Sequence, residues 1–131
     1  MLRINKTKIG YGIGVDLEAV ARFRPLSLKA NKRFLQRVYS KNERTYCFSR
    51  GGAAAESLAV RFAAKEAVVK ALSTCLGRPI NLLYSDIEIK RLGAGWPRVM
   101  IKNRRYRGVR VLVSLAHTKY FALAAALAES F

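Results

Sequence analysis

Apolar residues along the chain fall into alternating and helical rhythms. Ile9 to Val15 is an apolar, β-branched, glycine-rich run that predicts a first strand. Asp16 is expected at its end, and Leu17 to Phe23 predicts a short helix stopped near Pro25. Asn31 to Val38 places Phe34, Leu35 and Val38 at helical spacing. Ser40-Lys41-Asn42-Glu43 has the pattern of a capping box, so a further helix should begin there. Gly51-Gly52 then breaks the chain. Ala53 to Thr74 is the strongest helical segment, rich in Ala, Leu, Glu and Lys and free of Gly and Pro. It would span ~30 Å at 1.5 Å per residue. Leu58, Phe62 and Val69 give it an apolar side, and its alanines permit close contact.

Beyond Gly77-Arg78-Pro79 the rhythm becomes two-fold. Asp86 to Lys90 and Arg98 to Ile101 predict two strands, with Gly93 to Pro97 as the turn between them. Val109 to Leu115 and Tyr120 to Ala128 predict a last pair, joined by Ala116-His117-Thr118-Lys119. One long helix packed on a mostly antiparallel sheet is an α+β arrangement. A length of 131 residues with 51% hydrophobic content suits one domain over 1–131, since halves of this chain would bury too little surface.

Composition narrows the setting. The apolar run Phe121 to Ala128 is far short of the ~20 residues of a membrane helix. Met1 to Lys8 is polar and basic, a poor signal peptide. The expectation is a soluble, cytoplasmic protein without membrane association. Cys47 and Cys75 form no Cys-x-x-Cys and share the chain with a single histidine, so reduced thiols are expected rather than a zinc site. Lys and Arg number 25 against 8 Asp and Glu, a formal net charge of +17. Such a surface draws polyanions: nucleic acid, an anionic membrane, or an acidic protein together with a phosphate-rich cofactor. Metal or general-base chemistry must draw on Asp16, Glu18, Glu43, Glu56, Glu66, Asp86, Glu88 and Glu129.

Four residues invite chemistry: Asp16, Glu66, Lys70 and His117. Glu66 and Lys70 lie four apart and share a helix face, either as an exposed ion pair or with Glu66 held at the edge of the core by Phe62, Ala63 and Ala67. Asp16 could cap the short helix expected after it. Alternatively it is a ligand for Mg2+, which takes one or two carboxylates, waters and phosphate oxygens. His117 is either incidental to its turn or, beside Ser114, Thr118 and Lys119, faces a phosphate or a proton. Glycines 10, 12 and 14 do not have nucleotide-loop spacing, and close backbone packing is the better account of them.

Four segments in order carry a resemblance. Gly12-Ile13-Gly14-Val15-Asp16-Leu17 resembles the opening motif of the holo-acyl-carrier-protein synthases, the phosphopantetheinyl transferase family. Arg61-Phe62-Ala63-Ala64-Lys65-Glu66-Ala67-Val68-Val69-Lys70-Ala71 is similar to its central signature. Asp86-Ile87-Glu88-Ile89 with Gly95-Trp96-Pro97 is similar to its middle strands, and Ser114-Leu115-Ala116-His117-Thr118 to its C-terminal motif. The resemblance implies transfer of phosphopantetheine from coenzyme A to a serine of an acidic acyl carrier protein, with Mg2+, in a trimer whose sites lie between subunits. It implies Asp16 and Glu66 at the metal, and Lys70 at phosphate oxygens. Arg61, Ser114, His117 and the backbone from Gly95 to Pro97 would meet the rest of the cofactor, and Arg22, Lys32, Arg33 and Arg37 the carrier. Glu66, Lys70 and His117 would be catalytic, with Glu66 or a metal-bound water taking the serine proton.

The chain departs from the family pattern at Ala116, where Ser or Thr is usual, and at Ser73-Thr74-Cys75, where Gly-Thr-Gly is usual. The competing reading is a small RNA- or DNA-binding protein, supported by the net charge and by the basic cluster Lys102-Asn103-Arg104-Arg105-Tyr106-Arg107. A solvated loop between strands also accounts for that cluster.

Overall fold

The computed structural model describes residues 10–91 and 95–131. Its elements run β1 (Tyr11–Ala19), α1 (Lys32–Val38), α2 (Lys41–Phe48), α3 (Ala54–Leu76), β2 (Ile87–Arg91), β3 (Pro97–Ile101), β4 (Val109–His117) and β5 (Phe121–Ser130), with short 3-10 turns between. One antiparallel sheet has the order β1-β5-β4, and a second pairs β2 with β3. The α+β arrangement read from the sequence is the arrangement found. Ile9 and Gly93, which the expected first strand and the expected β2–β3 turn included, lie outside the described residues.

β1 and α3 are in backbone contact because two glycines allow it. A Cβ at Gly12 would lie 1.9 Å from the Ala71 carbonyl oxygen, and one at Gly14 1.9 Å from that of Ala67. The alanines of β5 continue this surface, with Ala122, Ala124, Ala126 and Ala128 all buried. α3 therefore beds closely onto the glycines of β1 and the alanines of β5, which explains why so many of its own turns are buried. Gly77, at φ 64°, ends the helix in the left-handed conformation that suits glycine.

The short helix expected over Leu17 to Phe23 is not formed as such. β1 runs through Asp16 to Ala19, with Leu17, Glu18 and Ala19 opposite Leu123, Ala122 and Phe121, and only Val20–Phe23 turns as a 3-10 helix. A lone helix of seven residues is marginal, and pairing with β5 satisfies the same backbone groups. Asp16 is therefore an interior strand residue, and the position capping the turn is Ala19.

The predicted capping box is present. Ser40 Oγ accepts from the Glu43 N–H, and Glu43 returns an oxygen to the Ser40 N–H at 2.8 Å. Both cysteines are free and buried.

Candidate active site

Two adjoining places along α3 gather the polar residues. The first is the seam between β1 and α3. The strand's inward positions after Gly12 and Gly14 are Asp16 and Glu18, and they reach the helix where Glu66 and Lys70 stand. Lys70 does not pair with Glu66 along its own helix. Its Nζ crosses to the strand, donating to the Val15 carbonyl at 3.0 Å and to Asp16 Oδ1 at 3.3 Å.

Asp16 Oδ2 is buried without a hydrogen-bond partner. Glu18, 8% exposed, has its carboxyl pushed up to about 7 by burial first and by Asp16 next, with Glu66 adding to this and Arg22 opposing it. Arg22 Nη1 lies 2.6 Å from Glu18 Oε2 and its guanidinium reaches over the rings of Phe23 and Phe62. The phenol of Tyr84 is raised by burial and by the Glu66 carboxylate beside it. The seam thus holds more negative charge than its cations answer, with an orphaned carboxylate oxygen facing it. That suits a hard divalent cation. Among the described residues no three His, Cys, Asp or Glu side chains form a closed ligand shell. The fit is to an ion that keeps waters and phosphate oxygens, as Mg2+ does.

The second place is a cleft of about 250 Å³ between the first half of α3, the β2–β3 pair and the end of β4. It brings together Arg61, Gly95, Pro97 and His117, four positions the sequence pointed to. Arg61 is 6% exposed; its Nη1 donates to Ser57 Oγ at 2.7 Å, and its guanidinium lies 4.5 Å from the Tyr46 ring centroid. Its Nε is buried and unpartnered. His117 Nδ1 is 3.6 Å from Glu56 Oε2, in the first turn of α3.

Sequence reasoning missed three neighbours in this cleft: Tyr46, Arg50 and Arg91. Arg91 Nη1 donates to the Tyr46 hydroxyl at 2.8 Å, which lowers the phenol's pKa. Three arginines around one tyrosine, with Glu56 as the only acid in the lining among the described residues, make an anion-seeking cleft. Nothing in their spacing announces this, because Tyr46, Arg61 and Arg91 come from three different elements.

Not every predicted residue joins these places. Ser114 is opposite Ala125 on the outer face of the sheet, away from α3, and Ala116 lies on the same outer face. Lys32, Arg33 and Arg37 are exposed on α1. Arg22 stands at the rim of the seam, its side chain 63% exposed and engaged by Glu18.

The family profile described as the 4'-phosphopantetheinyl transferase superfamily matches residues 12–126. The chain belongs to this superfamily. A holo-[acyl-carrier-protein] synthase of Moorella thermoacetica is 45% identical over 123 residues, covering 89% of this chain and 92% of the relative. One from Chlamydia muridarum is 41% identical over 122 residues, covering 91% and 94%. Among solved structures, an ACPS–CoA complex of Chronobacterium ammoniagenes superposes with a TM-score of 0.77 at 27% identity, covering 92% of this chain and 98% of that one. A Bacillus anthracis holo-(acyl-carrier-protein) synthase in complex with CoA (3',5'-ADP) superposes at 0.70 with 31% identity, covering 92% and 96%.

In this superfamily member the residue before Glu66 does structural work. Lys65 is fully buried; its Nζ donates to Glu43 Oε1 at 2.7 Å, to the Tyr84 carbonyl at 2.9 Å and to the Ile87 carbonyl. Glu43 Oε2 in turn accepts from the Ile89 N–H at 3.1 Å. Burial lowers the Lys65 pKa, opposed by Glu43. One buried pair thereby ties α2, α3 and β2 together beside both places. Removing one partner of such a pair typically costs 3–5 kcal/mol because the other charge is left stranded.

Proposed function

We propose that the chain transfers the phosphopantetheine group of coenzyme A to a serine of an acidic apo acyl carrier protein, releasing adenosine 3',5'-bisphosphate. The observation that carries this reading is the continuity of a carboxylate-rich seam with an arginine-lined cleft along one helix, in a chain of this superfamily. The cleft, with Arg61 and His117, takes the nucleotide end of coenzyme A, and Arg50 and Arg91 add cations for its phosphates. The pyrophosphate then lies at the seam. Asp16 and Glu66 would hold Mg2+, which would neutralise phosphate charge. Lys70, already at Val15 and Asp16, turns its remaining N–H to a phosphate oxygen.

The serine oxygen bonds to the β-phosphorus as the bond from that phosphorus to the leaving nucleotide oxygen breaks. The reaction needs positioning and charge neutralisation more than covalent help from the protein. Glu66, beside the seam and not engaged by Lys70, would be one acceptor for the serine proton. The test is incubation of the chain with apo carrier and coenzyme A, with Mg2+ and with a chelator, reading the carrier's mass. Conversion in Mg2+ and none in chelator is expected. Absence of conversion in both would end the proposal.

The site belongs to an assembly in this reading. The outer face of the β1-β5-β4 sheet exposes Ile13, Val15, Leu17, Leu112, Leu123 and Leu127, a continuous apolar surface of a kind that monomers rarely show. A homotrimer closed through this face would also give Ser114 a place near a neighbour's site. Leu127→Glu, on that face and outside the core, should lower the mass seen by light scattering and reduce transfer. An unchanged mass would remove this face from the assembly.

The carrier docks at the rim, with Arg22, Lys32, Arg33 and Arg37 toward its acidic surface. Arg22→Glu should raise the carrier KM on the order of tenfold or more, equivalent to about 1.4 kcal/mol or more at a close charge contact. Coenzyme A affinity should stay as in wild type, and an equal loss there would remove Arg22 from docking. The cytoplasm, where a carrier and coenzyme A meet, is the setting this function implies.

A further inference from the structure

The basic cluster from Lys102 to Arg107 is outside the lining of the arginine cleft along α3, and the structure makes it more than a solvated loop. Arg104–Tyr106 forms a 3-10 turn between β3 and β4. The Asn103 side chain accepts from the Arg105 N–H at 3.0 Å, and the Tyr106 N–H donates to the Asn103 carbonyl at 3.1 Å. Tyr106 is 4% exposed and packs into the core with Ala71, Leu72 and Cys75 of α3. Arg104, Arg105 and Arg107 are exposed around this anchored ring.

Arg78 joins them from another element. It follows Gly77 at the end of α3, and its guanidinium lies 5.9 Å from the Tyr106 ring centroid. Arg78 and Arg105 line one cleft of about 350 Å³ with Gly108 and Ser130. Nearby cations are answered: Lys102 is 3.5 Å from Glu88, and Arg110 is 2.7 Å from Glu129. Arg78, Arg104, Arg105 and Arg107 have no carboxylate within ion-pair distance among the described residues.

We infer that these four arginines form a docking face for the phosphodiester backbone of RNA, separate from the transfer site. All four are arginine, whose planar fork pairs with phosphate oxygens in two parallel hydrogen bonds. Their backbone is held by the Asn103 turn and the buried Tyr106 ring, so binding orders side chains and not the loop. A bilayer is a poorer fit: among the described residues Phe131 is the only strongly exposed large apolar side chain bordering the cleft, and Arg110 already lies over it. The transfer site is a poorer account as well. Leu76, the last residue of α3, is ten residues past Glu66, about 15 Å along the axis. The anion cleft at Arg61 lies toward the helix's opposite end.

Contacts of this kind read charge rather than sequence, and they weaken with salt by a slope near −0.7 per phosphate on single strands. The experiment is fluorescence anisotropy of a mixed-sequence single-stranded RNA with the full chain across a salt series. Wild type should bind in the range of about 10⁻⁴ to 10⁻⁶ M, with a slope of about −3 for four phosphates. The triple variant Arg104→Gln, Arg105→Gln, Arg107→Gln keeps Tyr106 and should keep the wild-type Tm. It should lose at least tenfold in RNA affinity and about two units of slope, with transfer kinetics unchanged.

A matched triple on α1, Lys32→Gln, Arg33→Gln, Arg37→Gln, removes equal charge elsewhere and should bind RNA as wild type does. Equal loss in both triples would mean that net charge alone binds RNA, and would overturn the proposal. So would a rise in carrier KM in the arginine-turn triple, or binding of that face to acidic phospholipid vesicles in place of RNA.

Discussion

Gly14→Ala should lower the melting temperature by about 10 °C or more, while Gly10→Ala in the same stretch should leave it within a degree or two. The two substitutions add the same methyl group. At Gly14 the methyl would meet the Ala67 carbonyl oxygen at 1.9 Å and the Ala71 nitrogen at 2.8 Å, both backbone atoms of α3. At Gly10 it would meet only Ser130 Oγ and O, at 3.6 and 3.7 Å, which is ordinary contact. Backbone cannot rotate out of the way as a side chain can, so β1 and α3 must separate. Overpacking a core costs typically 1–3 kcal/mol. A rigid neighbour on the helix side puts this case at or above the top of that range. In a domain of this size each kcal/mol moves Tm by roughly 4 °C. The same displacement carries Asp16 away from Lys70, so transfer should fall further than the residual fold explains. A Gly14→Ala protein melting within 2 °C of wild type would show that the helix does not rest on the strand backbone.

The sequence announced this seam only indirectly. Glycines at 12 and 14 signal close approach, but not to what. The long helix was legible because Ala53 to Thr74 is rich in Ala, Leu, Glu and Lys with no Gly or Pro inside, and its predicted end fell two residues before Leu76. The strand pairs were legible from alternation. The failure at Leu17 to Phe23 has a tertiary cause: β5 supplies ladder partners that a local reading cannot count.

The candidate site divides in the same way. Asp16, Glu66 and Lys70 sit inside motifs and could be named, whereas Glu18 fell within the short helix expected over Leu17 to Phe23 and was given no role. The Asp16–Lys70 contact spans 54 residues and displaced the local Glu66–Lys70 pair that helical spacing suggested. Lys65 is the sharpest case. A lysine beside Glu66 reads as solvent-facing, yet it is fully buried because Glu43, 22 residues earlier, ends a capping box at the right depth to receive it. Local signals fix which helix starts where; they do not say that one carboxylate serves both a cap and a buried ion pair.

Asp16→Asn and Glu66→Gln should each lower kcat on the order of 10²–10³-fold, the scale seen when one preorganised electrostatic group is removed, with the fold retained. Both replacements keep shape and volume, and neither residue is part of the Lys65 brace. Asp16→Asn removes the charge that holds Lys70 Nζ at 3.3 Å and offers an amide where Oδ2 is orphaned. An amide oxygen is a weaker ligand for a hard cation than a carboxylate, so a second reading is needed besides rate. Mn2+ affinity, followed by its electron-spin signal in the presence of coenzyme A, should weaken in both variants. Coenzyme A affinity measured in chelator should change little, because the arginine-lined cleft is intact.

Glu66→Gln separates two duties. If Glu66 takes the serine proton as well as holding the cation, its loss of rate should persist at Mn2+ concentrations that saturate the variant. The Asp16→Asn deficit should shrink under the same conditions. Rates within a few-fold of wild type for both variants at saturating metal would remove the pair from the metal site. An unaltered Mn2+ affinity alongside a large loss of rate would confine their part to positioning Lys70 and the serine.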